Sequence, residues 1–460
     1  MNQAIAYPIF LLGCLLGVLR PGWTFAVVAT MYAAEQLVQA AGGPFLSFPP
    51  LANYMVAVVA GISVARLLVT TERPLLGFGG RQLLLTIAIF AWSAISLAWT
   101  PSGEAARDLI TEGIPYFILF VLLAPLLVTD MDSARRALWA TMLLSIAVAA
   151  GILANPEVRS SSGRLGVALS ATVRTSPLAI GDLGGLAIIL GALLRPLDRT
   201  GMTLLLKSAA VLLGLALALM SGSRGQVLFA VGLSVAVLPM ARNIRNVGGF
   251  LATTGAMAFV AGGIYLIAPI VLDRFGANRW DAASLQEGAG VRLNNALVLI
   301  EAQAERPLSY AMGLGYNAFT SFRPDYTEPY SHNVPLDIFA ELGVLAFACF
   351  VTILWGTVSQ LRDLHRLHRH DPVQRSVVGA LAAMAGFYLL LCSKQGNLWA
   401  TGPLFMMVAI ISRLHARETV AWAAWSAEQL DDATEHGEDD SVASSGDLDG
   451  RGVHASRGVA

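Results

Sequence analysis

The sequence contains little charge. Only 13% of its 460 residues are charged, whereas 55% are hydrophobic, and the mean hydropathy is +0.63. This composition excludes an ordinary soluble globular protein and is typical of a polytopic membrane protein. Cysteine is also scarce, and Cys14, Cys349 and Cys392 all lie in apolar runs, which argues against a disulfide framework. Lysine is rarer still: Lys207 and Lys394 are the two lysines among 30 cationic side chains.

Apolar runs make up most of the chain. A helix needs ~20 residues to cross the hydrocarbon core, and the runs predict an all-α polytopic transmembrane bundle of 12 or 13 helices. The first run lacks a basic flank and a clear cleavage site, so it is expected to be a membrane segment and not a cleaved signal peptide. The runs lie at about 4–19, 23–41, 51–69, 83–100, 114–129, 137–154, 178–194, 204–220, 226–240, 249–270, 334–357, 377–392 and 400–412.

Arginine placement orients these helices. Basic loops alternate with a second set of loops, and the positive-inside rule places the basic set in the cytoplasm. The basic loops lie at 66–81, 135–136, 195–207, 242–245 and 362–375. The other set, predicted outside, lies at 101–113, 155–177, 221–225, 271–332 and 393–399. The sequence thus predicts a transmembrane domain over residues 1–412 with one long extracytoplasmic loop, 271–332.

The C-terminal segment, residues 413–460, is predicted to be a cytoplasmic tail. From residue 431 it is acidic and then rich in serine and glycine, with almost no large apolar residues. Such a composition cannot bury enough apolar surface to fold, so the tail is predicted to be largely disordered.

Several arginines fall in the predicted outer loops, against the topology rule. They include Arg164 and Arg174 in loop 155–177, Arg224 in the turn SGSRG, and Arg292 in the long loop. The guanidinium group is planar, offers paired donors and does not deprotonate, so arginines fixed at a membrane face suit phosphate. The alternative is that they pair with nearby acids, although Arg224 has no acid close to it in sequence.

Two further polar features enter apolar segments. Asn333, Asp337 and Glu341 follow one another at a spacing of four, so a helix would place them on one stripe. Lys394 interrupts an apolar hairpin. Ionisable groups inside a membrane are usually functional or paired, and Glu341 is expected to be neutral or paired with Arg224 or Lys394. For Lys394, an interfacial lysine extending to the headgroups is the alternative.

The order of motifs over residues 158–345 resembles the O-antigen ligase and O-antigen polymerase superfamily of membrane glycosyltransferases. The resemblance rests on SSGRLG, SPLAIGDLGGLAIIL, SGSRG, RLNNALVLIEAQAERPL, GLGYNAF and SHNVPLDIFAELG, in that order. It implies a catalytic histidine at His332 and diphosphate-binding arginines at Arg224 and Arg292. Arg164, Arg174, Asn333, Asp337, Glu341 and Lys394 are candidate supporting residues. One departure is the long spacing between Pro307 and Gly313.

The resemblance also implies the reaction. The expected donor is a glycan on undecaprenyl diphosphate, and the acceptor is a sugar on lipid A-core (a ligase) or on another lipid-linked repeat unit (a polymerase). The expected site lies on the outer face of a bacterial inner membrane, with no metal and no cofactor. The alternative from another class is a transporter or flippase for the same lipid. A transporter is expected to show Gly- or Pro-interrupted helices in corresponding halves, and the sequence shows no such internal repeat.

Overall fold

In the computed structural model the regular secondary structure of the described residues is all helical, with no strand among them. These residues are 3–154, 165, 176–196, 201–242, six positions between 248 and 262, 282–325 and 330–443. The predicted fold class, an all-α polytopic bundle, is confirmed.

The helices are, in chain order, α1 (Gln3–Leu19), α2 (Pro21–Ala40), α3 (Pro44–Ser47), α4 (Leu51–Thr70), α5 (Arg81–Ile95), α6 (Gly103–Phe117), α7 (Met131–Leu153), α8 (Pro177–Leu193), α9 (Gly201–Met220), α10 (Arg224–Arg242), α11 (Ala282–Ala304), α12 (Ser309–Met312), α13 (Phe319–Phe322), α14 (Val334–Leu367), α15 (Pro372–Cys392) and α16 (Gly402–Ala443). A 3₁₀ turn, Ser96–Ala98, extends α5. A π-helical turn, Ile118–Leu123, and a 3₁₀ turn, Ala124–Leu127, extend α6.

Twelve of the thirteen predicted apolar runs coincide with helices, and the run at 249–270 lies largely outside the described residues. Within the described part of the chain, eight helical segments are long and apolar enough to cross a membrane: Leu51–Thr70, Arg81–Ala98, Gly103–Leu127, Met131–Leu153, Gly201–Met220, Arg224–Arg242, Val334–Leu367 and Pro372–Cys392. Helices α1 and α8 are shorter but also apolar. The protein is therefore a multi-pass membrane protein.

Helix α2 lies inside the bundle. Thirteen of its 20 residues are buried, and it packs against α1, α4 and α7. This position explains the polar residues Glu35, Gln36 and Gln39 at its end. They face other protein groups, since Gln36 donates to the Ser176 carbonyl (2.9 Å) and Gln39 donates to Glu35 (2.9 Å).

Small residues bring helices α8 and α9 into close contact. A β-carbon on Gly184 would lie 2.5 Å from the Gly214 carbonyl oxygen, and one on Gly214 would lie 2.6 Å from the Gly184 oxygen. Such backbone contact is the usual way that membrane helices pack tightly, because lipid supplies no hydrophobic drive between them. It fixes α8, which carries Asp182, against the helix that leads into the SGSRG turn.

Contacts between loops separate the bundle into two ends. The basic loops meet at one end, where the buried Arg413 donates to the carbonyls of Pro74 and Pro125 and Gln374 donates to Asp132. The loops predicted outside meet at the other end, as the hydrogen bond from Thr100 to the Tyr316 carbonyl shows. The second end carries the candidate site, and the side of the membrane on which each end lies stays a prediction.

The C-terminal helix is longer than the composition suggested. Helix α16 runs from Gly402 to Ala443, so the prediction of disorder differs from the structure as far as Ala443. Residues 444–460 lie outside the described part. The segment after Arg413 is rich in alanine and glutamate, which favour helix locally, whereas the disorder argument counted only the apolar surface available for packing.

Candidate active site

The backbone of His332 has an unusual conformation. Its φ is +70°, in the left-handed region that costs a non-glycine residue about 1–2 kcal/mol. Neighbouring contacts hold it there. The Ser331 hydroxyl donates to the Asp337 carboxylate, and the Asn333 N–H donates to the Ser331 hydroxyl (3.2 Å). The Asn333 side chain then caps α14 by accepting from the Leu336 N–H (3.3 Å), so His332 is fixed at the entry to that helix.

Glu341 organises the preceding loop. Its buried carboxylate accepts the backbone N–H groups of Asn317 (2.8 Å) and Phe319 (3.1 Å). The sequence left Glu341 either neutral or paired with Arg224 or Lys394, and the partners that the structure gives its carboxylate are these backbone amides. A polar stripe on α14 does exist, and its acids act on the loop and on the segment around His332.

The glycines of the Gly313-Leu314-Gly315 turn allow this loop to enter a break in α14. The backbone at Gly343 is not helical (φ +84°), and a β-carbon there would lie 2.3 Å from the Ala311 carbonyl oxygen. Gly313 also has positive φ (+82°), and its β-carbon would lie 2.0 Å from the Glu341 carbonyl oxygen. The Gly315 N–H donates to that same oxygen (2.9 Å). Only glycine permits such an approach.

A second anchor ties the loop to the connection between α5 and α6. The Thr100 hydroxyl donates to the Tyr316 carbonyl (2.7 Å), and the Ser102 hydroxyl donates to the Asn317 carbonyl (2.5 Å). The long outer segment is thus attached from both sides, and its described part is helical over α11, α12 and α13.

The SGSRG turn places Arg224 at the start of α10. The turn packs on α8, since a β-carbon on Gly181 would lie 2.9 Å from the Ser221 hydroxyl. On its other side it contacts Lys394, whose Nζ lies 2.7 Å from where a Gly225 β-carbon would be. Arg224 is half-buried. The close packing explains the glycines of the turn and fixes the point from which the Arg224 side chain projects.

A polar network lies directly after this turn. Gln226 is fully buried, and its amide donates to Asp182 (3.0 Å) and to Gln395 (3.0 Å). Lys394 donates to the Gln226 carbonyl oxygen (2.5 Å), and Gln395 donates to Asp182 at 3.4 Å. Of the two readings of Lys394, the structure therefore favours a buried polar contact with the Arg224 turn over a lysine that extends to the headgroups.

A cavity of about 690 Å³ is lined both by residues of this network and by Tyr330, two residues before His332. Asp182 and Gln395 line one wall, the polar end of α2 lines another, and Tyr330 also lines it. The ring of Tyr330 packs edge-to-face on the His332 imidazole, with centroids 4.7 Å apart. Tyr330 thus connects His332 to the cavity wall, and Asp182 and Gln395 connect the Arg224 turn to it through Gln226, whereas neither His332 nor Arg224 is among the lining residues.

The other predicted arginines do not join this arrangement. Arg292 lies on α11 and is exposed, and its guanidinium donates to the Gly288 carbonyl of its own helix (3.3 Å). Arg164 and Arg174 lie outside the described residues.

Sequence reasoning missed Asp182, Gln226, Gln395, Gln36 and Tyr330. One signal was available for Asp182, which is an acid inside an apolar helix rich in small residues and is therefore expected to be functional or paired. The others have no such signal, because their role depends on contacts between helices far apart in the chain. Gln36, for example, contacts Ser176, 140 residues later.

Comparison with known families identifies the part of the chain that carries these features. Residues 209–351 match the family model described as O-Antigen ligase. The matched segment includes the SGSRG turn, α11, the glycine turn and the first part of α14 with His332. No curated protein matches the chain significantly.

Proposed function

The chain belongs to the O-antigen ligase and O-antigen polymerase superfamily, and on that premise we propose that it transfers a glycan from undecaprenyl diphosphate to an acceptor sugar. The acceptor under this proposal is lipid A-core or a related envelope glycan. The family is one of glycosyltransferase-like enzymes of polysaccharide biosynthesis. The resemblance of the chain to this family also implies that no metal and no cofactor take part.

In the proposed reaction His332 is the general base. Its imidazole removes the proton of the acceptor hydroxyl, the hydroxyl oxygen forms a bond to the anomeric carbon, and the bond from that carbon to the diphosphate oxygen breaks. The lipid diphosphate departs with the electron pair. Histidine suits this role because its ordinary pKa, near ~6.5, permits proton uptake at neutral pH.

Arg224 and Arg292 are assigned to the donor diphosphate. Negative charge grows on the leaving diphosphate, and fixed guanidinium groups stabilise it. Arg224 fits this role because its turn is packed on both sides, and Gln226, two residues later, bonds to Asp182 and Gln395 in the cavity wall. Arg292 would act from the exposed face of α11, so its role requires the donor to contact that helix.

The supporting residues have distinct proposed roles. Asp337 and Asn333 hold the His332 backbone, and Glu341 holds the loop that packs against the first turns of α14. Lys394 braces the Arg224 turn through Gln226. Arg164 and Arg174 are proposed to add positive charge on the outer side.

One observation carries the proposal: Tyr330, which packs on the ring of the left-handed His332, lines the same cavity as Asp182 and Gln395, which both bond to Gln226 behind Arg224. His332 and the Arg224 turn are thus each connected to this one cavity through a neighbouring residue. We place that space at the outer face of a bacterial inner membrane and the end of α16 in the cytoplasm.

An acceptor assay tests the function. The purified protein in lipid nanodiscs is given donor extracted from its own cells, either with lipid A-core or with no acceptor. In a third arm the protein and the donor are placed in sealed vesicles. Transfer to lipid A-core supports a ligase, and chain growth without added acceptor supports a polymerase. Movement of the donor across vesicles without any transfer would contradict the enzyme and indicate a transporter.

A further inference from the structure

The cavity beside the Arg224 turn has a chemistry that the proposed reaction does not yet use. Its polar lining consists of carboxylates, carboxamides and hydroxyls: Glu35, Gln36, Gln39, Asp182, Gln395, Asn397, Ser176, Thr30, Thr401, Tyr32, Tyr330 and Tyr388. No lysine or arginine is among the described residues that line it. A diphosphate would therefore meet two carboxyl groups and no cation inside the cavity, which is unfavourable.

Gln36 presents an unused acceptor there. Gln36 is only 5% exposed, and its amide nitrogen donates to the Ser176 carbonyl (2.9 Å). This bond fixes the amide plane, yet the Oε1 atom has no hydrogen-bond partner. A buried polar atom without a partner costs about 1–3 kcal/mol by general experience, so a ligand hydroxyl is the natural complement.

Glu35 adds a second acceptor on the same helix. Its Oε1 atom accepts from Gln39 (2.9 Å) and Asn53 (3.2 Å), and no hydrogen bond from the described residues reaches Oε2. Asp182 lies across the cavity, on α8. Carboxylates and carboxamides placed beside aromatic rings are suited to vicinal hydroxyls, and Tyr330 supplies such a ring on the side that faces His332.

We propose that this cavity is a binding subsite for the uncharged sugar of the donor that is attached directly to the diphosphate. The inference rests on the proposed function and assigns to the donor sugar a subsite that the proposed reaction left open. The diphosphate is held outside the cavity by Arg224, and Gln395 links the two regions because it lines the cavity and bonds to Gln226. The cavity volume, about 690 Å³, falls in the range of pockets that hold small ligands.

A binding experiment separates sugar from diphosphate. Two probes are compared on the full-length protein in nanodiscs: undecaprenyl diphosphate alone, and undecaprenyl diphosphate carrying one N-acetylglucosamine. Two or three hydrogen bonds to the sugar should make the second probe bind the wild type roughly tenfold more tightly. Gln36→Leu should remove most of this difference and leave the affinity for the bare lipid diphosphate unchanged.

Two further variants make the result specific. Gln360→Leu is a matched control, because Gln360 also has an Oε1 atom without a partner and donates to a neighbour, Ser412, but lies at the opposite end of the bundle. It should change neither affinity. Ala179→Leu fills the cavity from α8 and should also remove the sugar-dependent difference. Ala179→Leu also serves as the test if Gln36→Leu does not fold. Misfolding of Gln36→Leu would show as loss of bare-lipid binding together with a lower melting temperature.

The outcomes distinguish failure of the sugar subsite from failure of the proposed transferase function. If the wild type binds both probes equally, or if neither Gln36→Leu nor Ala179→Leu reduces the difference, the sugar subsite is wrong while the transferase proposal stands. If folded wild-type protein binds neither probe, the proposed function itself fails.

Discussion

At the residue scale, His332 combines strain with a proposed chemical role, and the two can be separated. Glycine occupies the left-handed region freely, whereas alanine does not. We expect His332→Gly to be more stable than His332→Ala by about 1 kcal/mol, because the backbone strain at φ +70° is removed. Thermal unfolding of both variants in the same detergent measures this difference. A less stable glycine variant would show that the left-handed backbone is not the source of strain.

Arg224 is the second residue whose role can be measured. A hydrogen bond to a charged group contributes about 1.5–3 kcal/mol, so Arg224→Ala should raise the donor KM by roughly one to two orders of magnitude. Arg224→Lys should rescue only partly, because the planar pair of donors is lost. Arg292→Ala gives the matched comparison from an exposed position and is also expected to weaken donor use. Full activity in both alanine variants, at normal membrane levels, would remove the diphosphate assignment.

At the element scale, the break in α14 is what lets the loop reach Glu341. Gly343→Ala places a β-carbon 2.3 Å from the Ala311 carbonyl oxygen at a backbone with φ +84°. The φ alone costs about 1–2 kcal/mol, so we expect a lower melting temperature and strongly reduced transfer.

Gly232→Ala is the control for this change. Gly232 also lies in a helix, α10, but a β-carbon there meets nothing within 4 Å. It should be neutral or slightly stabilising, since alanine favours helix over glycine by up to ~1 kcal/mol. If both variants behave alike, the close approach at the break is not important for the site.

The elements also show how far sequence reasoning reaches. Apolar runs predict the helices because a segment that crosses lipid must satisfy its backbone hydrogen bonds internally. The polar motifs locate His332 and Arg224. The partner of Glu341 was not predictable, since a carboxylate can bond to backbone amides as readily as to a cation. The cavity was not predictable either. Its walls come from α2, α8 and the segment after α15, and contacts such as Gln395 with Asp182 join residues 213 positions apart.

At the scale of the whole molecule, the two ends of the bundle predict a topology. We expect Ser284, on α11, to lie outside and Ser359, on α14, to lie inside. Single cysteines at these positions, in a background without Cys14, Cys349 and Cys392, can be labelled in intact cells with an impermeant reagent. Ser284→Cys should react from outside and Ser359→Cys only after permeabilisation. The reverse pattern would overturn the orientation.

The proposed removal of the acceptor proton by His332 can be tested by measuring the turnover of His332 variants. Transfer of lipid-linked glycan by purified protein is followed at saturating acceptor, with donor supply and protein level fixed, for the wild type, His332→Ala and His332→Gln. General-base catalysis contributes typically 10²–10⁴-fold, so both variants should lose at least about 100-fold in turnover. Residual activity in His332→Gln alone would indicate that the side chain orients the acceptor. Wild-type turnover in His332→Ala would contradict the account, because the proposed reaction would then have no base.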